Sequence, residues 1–400
     1  MENIPFSPPR VDQLTVDAVT EVLLSGWITT GPKTRQLEAE IKDYLQVKEV
    51  LCLNSWTNAC ELMLRKFGVG EGDEVIIPSY TYAATANIVI HLGATPVMLD
   101  IDPRTFHITA ESISKALTPK TKVVMPVDIG GLPVAYDEIM AVLKAAPFSA
   151  NSVLQEQLGR PLFMSDAAHS FGASFNGARV GLQADVTGYS FHAVKNLTTA
   201  EGGALSFNLG NGIDNEALRK SINISALHGQ TKDALEKTQG SSWRYDVIEA
   251  GFKCNMTDLQ AAIGLVEFAR YDETLTRRKA ICQRYLDGIS DCDWFIAPHF
   301  LDAKRESSYH LFMLRIDGAS EDQRDQVMSL IQAAGVSVNV HFQPLPLLSF
   351  YKGLGYRIED YPNSFKAYSS EISLPVYYDL SDEKVDRVIA TVKSAVAKVL

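Results

Sequence analysis

The stretch Gly188–Phe207 reads GYSFHAVKNLTTAEGGALSF. An apolar run, Val186–Phe191, delivers a hydroxyl at Ser190, an aromatic and a histidine, and then Lys195. The chain passes through a Thr- and Gly-rich loop to Gly202 and Gly203, where a second run, Ala204–Phe207, begins. A lysine on a loop at the carboxyl end of a strand is placed to point into a cleft, where α/β sheets carry their chemistry. There it can form a Schiff base with a carbonyl, and burial lowers its pKa in favour of that reaction. A surface lysine is the competing reading of any lysine taken alone.

Upstream, PLFMS at Pro161–Ser165 runs into Asp166, followed by Ala167, Ala168 and His169. This carboxylate, 29 residues before Lys195, also closes a strand and can face the same cleft. A pyridine nitrogen held against it stays protonated, which makes the ring an electron sink. Helix N-capping is the competing role for Asp166. Further upstream, the run Val50–Leu53 leads into Asn54, Ser55, Trp56, Thr57, Asn58 and Ala59. Small polar residues at a strand-to-helix turn expose backbone N–H groups at the positive end of a helix, which suits a phosphate. Ordinary capping explains the same residues.

Around these segments, short apolar runs alternate with helical patterns. The runs are Val50–Leu53, Glu74–Ile77, Pro96–Leu99, Lys122–Met125, Pro161–Ser165, Val186–Phe191 and Ala204–Phe207. The alternation predicts an α/β fold with a largely parallel sheet. Val11, Leu14, Ala18 and Val22 suit a first helix stopped at Gly26, and Thr34 reads as the N-cap of a second through Leu37, Ile41 and Leu45. After Gln260 the texture changes to long helical stretches, Leu259–Arg270 and Tyr271–Ile289. Then come a strand-like Tyr309–Ile316, a helix Asp322–Ala334 and a strand Val336–His341. A last helix from Ser381 carries Val385, Val388, Ile389, Val392, Val396 and Val399 on one face.

The chain has 400 residues, 46% hydrophobic and 21% charged, a globular composition that excludes disorder as a class. At roughly 150 residues per domain it holds two to three domains. Lys plus Arg 37 against Asp plus Glu 48 leaves −11. That balance, with no basic run, argues against nucleic acid or an anionic membrane surface as partner. A few local cations or helix N-termini can still hold a small anion. Val75–Leu99 carries no Asp, Glu, Lys or Arg, and its length alone would suit a membrane helix. Pro78, Asn87, His91, Gly93 and Pro96 interrupt it, so it reads as buried strand, loop and helix beneath a site. MENIPFSPPR has no apolar signal core, and Cys52, Cys60, Cys254, Cys282 and Cys292 show no CxxC spacing. Reduced thiols in a cytoplasm, with no metal site, are the expectation.

These pieces together resemble the DegT/DnrJ/EryC1/StrS family of pyridoxal-phosphate-dependent sugar aminotransferases. The matching segments are GWITTGPKTRQLE at Gly26–Glu38, DEVIIPSYTYAATANIVIHLGATPVMLDID at Asp73–Asp102, and SDAAHSFGA at Ser165–Ala173. FHAVKNLTTAEGGAL, GFKCNMTDLQAAIG at Gly251–Gly264 and NVHFQPLPLL at Asn339–Leu348 complete the series, which runs nearly end to end. The resemblance implies a fold-type-I aminotransferase whose cofactor is pyridoxal 5'-phosphate. Residues 1–264 would form a large cofactor-binding domain around a mostly parallel seven-stranded sheet between helices. Residues 265–400 would form a smaller C-terminal α/β domain. By position, Lys195 would be the Schiff-base lysine and Asp166 the pyridinium partner. His169 would sit by the ring's phenolic oxygen, and Tyr82 would stack on the ring. Ser190, the turn at Trp56 and Thr57, and Asn255 of the neighbouring chain would hold the phosphate. Lys253 would meet the sugar nucleotide's phosphates, with His310 and His341 lining the sugar pocket. Core packing competes with stacking for Tyr82, and structural roles compete for the three histidines.

The resemblance further implies a cytoplasmic homodimer with shared sites, L-glutamate as amino donor and a nucleotide-linked keto sugar as acceptor. Ser165 stands where the family often has Glu, and Lys253 and Asn255 where it often has Asn and Arg. The Lys-x-Asn form is similar to the branch acting at C4 of UDP-linked 4-keto sugars, for capsule or surface-polysaccharide assembly. Lys144–Gly159 is longer than usual and marks a subfamily feature. Alternatives are another keto-sugar or keto-cyclitol aminotransferase, a sugar dehydratase, or a non-catalytic regulatory protein on the same scaffold. Dehydratase relatives replace the lysine by histidine, so Lys195 counts against that reading, and intact Lys195 and Asp166 count against the last.

Overall fold

All seven apolar runs become strands of one sheet in the computed structural model, which describes residues 2–232 and 244–400. In chain order they are β1 (Glu49–Leu53), β2 (Glu74–Pro78), β3 (Thr95–Leu99), β4 (Thr121–Val124) and β5 (Leu162–Asp166), then β8 (Val186–Ser190) and β9 (Gly203–Phe207). Between β5 and β8 lies a small hairpin, β6 (Ser174–Phe175) and β7 (Ala178–Arg179). It turns through Asn176 and Gly177, both at positive φ, as a two-residue Asn-Gly turn requires. The sheet order is β1-β9-β8-β5-β4-β2-β3. Only β9 runs against its neighbours, β1 and β8; the other pairings are parallel.

Strand alternation divides the sheet's side chains between two apolar layers. Leu51, Leu53, Val75, Ile77, Met164 and Leu205 pack under helices Trp56–Phe67, Ala83–His91 and Asn215–Ala226. Val50, Cys52, Ile76, Val124, Phe163 and Tyr189 pack on the other face with Leu37 and Ile41 of helix Pro32–Leu45 and Ile139 of helix Tyr136–Lys144. The charge-free Val75–Leu99 run is strand, loop, helix and strand, as its interruptions suggest. Among the described residues no helix is long and apolar enough to cross a membrane. Parallel strands share one carboxyl edge, so the ends of β1, β2, β5 and β8 gather there.

A further core forms around β10 (Phe295–Ile296), β12 (Phe312–Ile316) and β13 (Glu371–Leu374). Helices Tyr271–Ile289, Glu321–Ala333 and Asp382–Val399 cover it, the last burying Val385, Val388, Val392 and Val396. Ile4 also packs in this core and bridges Val336, so the N-terminal segment crosses over to it. Strand β11 (Arg305–Glu306) pairs with β6 of the large sheet region.

The structure corrects four local expectations. Thr34 lies inside its helix; Gly31 is the N-cap and Pro32 the first helical residue. Asp258 caps this helix from 224 residues away, accepting from the N–H groups of Gly31 (2.8 Å), Lys33 (3.1 Å) and Thr34 (3.0 Å). Tyr309–Leu311 stay outside β12, because Tyr309 takes a positive φ that no strand allows. Val336–His341 forms only isolated bridges, to Ile4 and Ser373. Lys144–Gly159 is more than a loop: Ser152 caps a short helix, Val153–Leu158, whose Gln155 is buried.

Candidate active site

Strand β8 ends at Ser190, and the loop beyond it closes on itself. Phe191 N–H donates to Gly202 O and Thr199 N–H to Phe191 O, both at 2.9 Å. The Thr198 hydroxyl also donates to Phe191 O and accepts from Ala200 N–H, fixing Ala200 at positive φ. The threonines of this loop therefore tie the crown on which Lys195 sits. Lys195 faces a cavity of about 470 Å³ at the carboxyl edge of the sheet. Burial lowers its amine from 10.5 to about 8, with the nearby Asp166 charge acting in the opposite direction.

Asp166 ends β5 and faces the same cavity. No helix follows it, so the capping role is overturned. Its Oδ2 accepts from Thr85 Oγ1 at 2.9 Å and its Oδ1 from Ala168 N–H at 3.2 Å. Thr81 stands 2.9 Å behind Thr85, hydroxyl to hydroxyl. Because Thr85 gives its only proton to Asp166, Thr81 donates to Thr85. Burial raises the Asp166 pKa from 3.8 to about 6, and the hydrogen bonds from Thr85 and Ala168, with the Lys195 charge, oppose that rise.

Ser55 caps helix Trp56–Phe67, its Oγ accepting from Asn58 N–H at 3.1 Å. The N–H groups of Trp56 and Thr57 belong to the first turn, where helices have no internal acceptor. Both residues line the cavity with Ser55 and Ser190. A Cβ added at Gly203 would fall 2.3 Å from Trp56 N, so glycine lets β9 lie against this turn.

Of the four histidines that line the cavity, His192 is exposed, and the other three, His169, His310 and His341, stand in its wall. His169 Nδ1 accepts from Gly130 N–H at 3.2 Å, which leaves the proton on Nε2. His310 Nδ1 lies 2.8 Å from Asn196 Oδ1, and Asn196 gives its amide proton to Ser308 O, so His310 donates through Nδ1. His341 Nδ1 lies 2.9 Å from Ser373 Oγ. The rings of His169 and His310 are 4.4 Å apart. Burial pushes all three below the ordinary histidine range, His341 to about 3, so they are neutral at pH 7.

Tyr82 is 64% exposed at the cavity mouth, which overturns core packing; its ring centroid is 5.8 Å from that of Phe342. Lys253 and Asn255 do not line the cavity. Lys253 Nζ bonds Asn255 Oδ1, and Asn255 Nδ2 donates to Thr30 Oγ1 at 2.6 Å, beside β1. Sequence reasoning missed Thr81, Thr85, Asn196 and Ser373. The Thr81–Thr85 pair, four residues apart at the start of an apolar helix, was a usable signal.

The donor set fits pyridoxal phosphate. A lowered amine, a carboxylate held by two donors and free N–H groups at a helix start converge on one cavity, and a neutral imidazole adds an N–H donor.

The sequence profile of the DegT/DnrJ/EryC1/StrS aminotransferase family matches residues 9–393. The chain is 36% identical over 398 residues to the spore coat polysaccharide biosynthesis protein SpsC of Bacillus subtilis, spanning 98% of this chain and 97% of that one. Spr1654 of Streptococcus pneumoniae, described as a sugar aminotransferase, superposes with a TM-score of 0.96 in its PMP form at 44% identity. Its PLP form gives 0.95 at 42%, and each comparison covers 100% of both chains. Helicobacter pylori PseC, an aminotransferase involved in pseudoaminic acid biosynthesis, gives 0.86 at 25% identity over 99% of this chain and 100% of that one.

Proposed function

The chain belongs to the DegT/DnrJ/EryC1/StrS aminotransferase family, and from that premise we propose that it moves the amino group of L-glutamate onto a nucleotide-linked keto sugar. It is a sugar aminotransferase dependent on pyridoxal phosphate. The observation that carries the proposal is the convergence of Lys195, Asp166 and the Ser55–Thr57 turn on one cavity.

Bound pyridoxal phosphate supplies an aldehyde that exchanges amines and a protonated ring that withdraws electrons. Lys195 Nζ would be its point of attachment and, as a free amine facing the cavity, would take a proton from the donor's Cα. An amine near 8 is matched to that task at neutral pH. Asp166 would hold the ring nitrogen's proton, and Thr85 holds Asp166. The Trp56 and Thr57 N–H groups and Ser190 would hold the phosphate. His169 would offer its Nε2–H to the phenolic oxygen, and Tyr82 would cover the ring. Asn255 and Lys253 serve the partner's site in a homodimer, which fits their place outside their own cavity. Val11, Leu14, Leu24, Ile28 and Val194 are exposed apolar residues that suit such an interface.

The acceptor we infer is a UDP-linked 4-keto-6-deoxy-N-acetylhexosamine, aminated at C4 for capsule or surface-polysaccharide assembly. The Lys253-x-Asn255 pattern and the polysaccharide role in the SpsC name support it. Five free cysteines suit a reducing cytoplasm. Residues 265–400 act as a smaller unit, a division supported by their separate core. A panel of keto sugars with glutamate, read by product mass, tests the substrate. The UDP-linked 4-keto sugar should gain an amine; an inositol ketone gaining one while every nucleotide sugar fails would refute the assignment.

A further inference from the structure

His310 reaches the cavity from a stretch of backbone that two buried side chains pin. Asn196, the residue after Lys195, donates Nδ2–H to Ser308 O at 2.8 Å. Arg278 of helix Tyr271–Ile289 donates to Tyr309 O at 3.3 Å and to His310 O at 3.2 Å. The Asn196 amide also hydrogen-bonds the Tyr271 oxygen, whose own proton goes to Phe171 O at 2.6 Å. Both Nδ2 protons are therefore committed and the amide cannot turn over. Its Oδ1 is what meets His310 Nδ1, at 2.8 Å. An amide oxygen only accepts, so the ring proton sits on Nδ1 and Nε2 carries a lone pair. Nε2 has no partner among the described residues, and the ring lines the Lys195 cavity.

The surroundings keep this ring neutral. Burial holds its proton affinity well below the ordinary histidine range, and His169, Lys195, Arg278 and His341 act in the same direction. Nε2 thus accepts a hydrogen bond without taking the proton. A carboxylate of the amino donor brings only lone pairs and is turned away from it. The donor's nitrogen goes to the cofactor. An acceptor sugar brings hydroxyls, and its keto carbon must come to the place that Lys195 serves. The hydroxyl that falls beside Lys195, within reach of His310, is the one on the carbon next to the keto group.

We propose that His310, oriented by Asn196, selects acceptors that carry a hydroxyl on the carbon adjacent to the keto group, which in a 4-keto hexose is the C3 hydroxyl. That hydroxyl donates to Nε2, and no proton is transferred. A 3-deoxy sugar leaves the lone pair shut away from water without a donor, at a loss of about 10- to 100-fold. His310 is a specificity-determining residue, and Asn196 and Arg278 are positioning residues. The proposal rests on the sugar-aminotransferase reading of the Lys195 cavity and adds a group that the acceptor must carry.

Two probes test it, a UDP-linked 4-keto-6-deoxy-N-acetylhexosamine with its C3 hydroxyl and the 3-deoxy analogue of the same sugar. Cofactor-loaded enzyme is bleached with glutamate, freed of excess donor and mixed with each sugar. The returning visible band gives the second-order rate constant of the sugar step. Wild type should favour the 3-hydroxy sugar by about 10- to 100-fold. His310→Asn keeps an N–H for Asn196 and removes the Nε2 atom, so the preference should shrink to about threefold or less. A purely structural role would slow both sugars alike and leave their ratio unchanged. Wild type that takes both sugars equally overturns the proposal, as does a variant that keeps the preference. If His310→Asn fails to fold, nitrogen-15 NMR of cofactor-free wild type decides instead. His310 should show Nδ1–H, and a proton on Nε2 overturns the proposal. Enzyme that glutamate does not bleach overturns the aminotransferase reading, and bleached enzyme that neither sugar restores overturns the acceptor reading. Each takes the proposal with it, and neither resembles the loss of a ratio.

Discussion

Removing the Thr85 hydroxyl should raise the proton affinity of Asp166, with an effect that grows with pH. Thr85→Val keeps the side-chain shape and deletes the 2.9 Å bond to Oδ2. A hydrogen bond to a charged group contributes about 1.5–3 kcal/mol, or roughly one to two pKa units. Asp166 would then titrate between about 7 and 8 instead of about 6. The sign follows from linkage. A carboxyl whose folded pKa lies above its unfolded 3.8 stabilises the fold fully below that value and loses the contribution as pH rises through the folded pKa. In the wild type this loss is about 3 kcal/mol and ends just above pH 6. In Thr85→Val it continues to about pH 8 and is larger by about 2 kcal/mol. Urea unfolding of cofactor-free wild type and variant, in half-unit steps from pH 5 to 8, reads the difference. Below pH 7.5 Lys195 keeps most of its charge, and other groups cancel between the two proteins. A stability difference that does not change over this range refutes the reasoning.

Asp258→Ala strips the cap from helix Pro32–Leu45 and leaves three N–H groups and the Thr34 hydroxyl without their acceptor. It should cost about 3 kcal/mol in denaturant unfolding, and a cost below about 1 kcal/mol would contradict the capping account. Recombination of cofactor-free protein with pyridoxal phosphate should quicken with pH around about 8, the Lys195 value; a midpoint near 10.5 would show that burial does not lower this amine. Gly203→Ala puts a methyl 2.3 Å from the Trp56 backbone nitrogen, which cannot yield without moving β9. Cofactor retention should drop at least tenfold, and normal retention would show that the turn is not the phosphate site. Tyr82→Ala, at an exposed position, should change stability by less than about 0.5 kcal/mol. It should still weaken cofactor binding about tenfold, and unchanged binding would remove Tyr82 from the ring.

The sheet was legible because its strands are short, apolar and β-branched, and burial on both faces makes them contiguous runs. Lys195, Asp166 and the Ser55–Thr57 turn were legible because each sits where a strand ends. What joins them was not. Thr85 reaches Asp166 across 81 residues, and Asp258 takes from Thr34 the cap that local sequence assigned to it. Val336–His341 has the composition of a strand, yet its partners are Ile4 and Ser373, chosen by tertiary packing. The tautomers of His310 and His341 depend on Asn196 and Ser373, each remote in sequence from the histidine it orients. Periodicity and motif carry no information on such contacts.

The central claim, that Lys195 is the amine that attaches the cofactor, is tested most directly by absorbance. Purified wild type should be yellow, with a visible band that glutamate bleaches. Lys195→Ala should keep its fold, lack that band and form no borohydride-stable adduct with pyridoxal phosphate. A Lys195→Ala protein with the wild-type band, bleached by glutamate at the wild-type rate, would contradict the account.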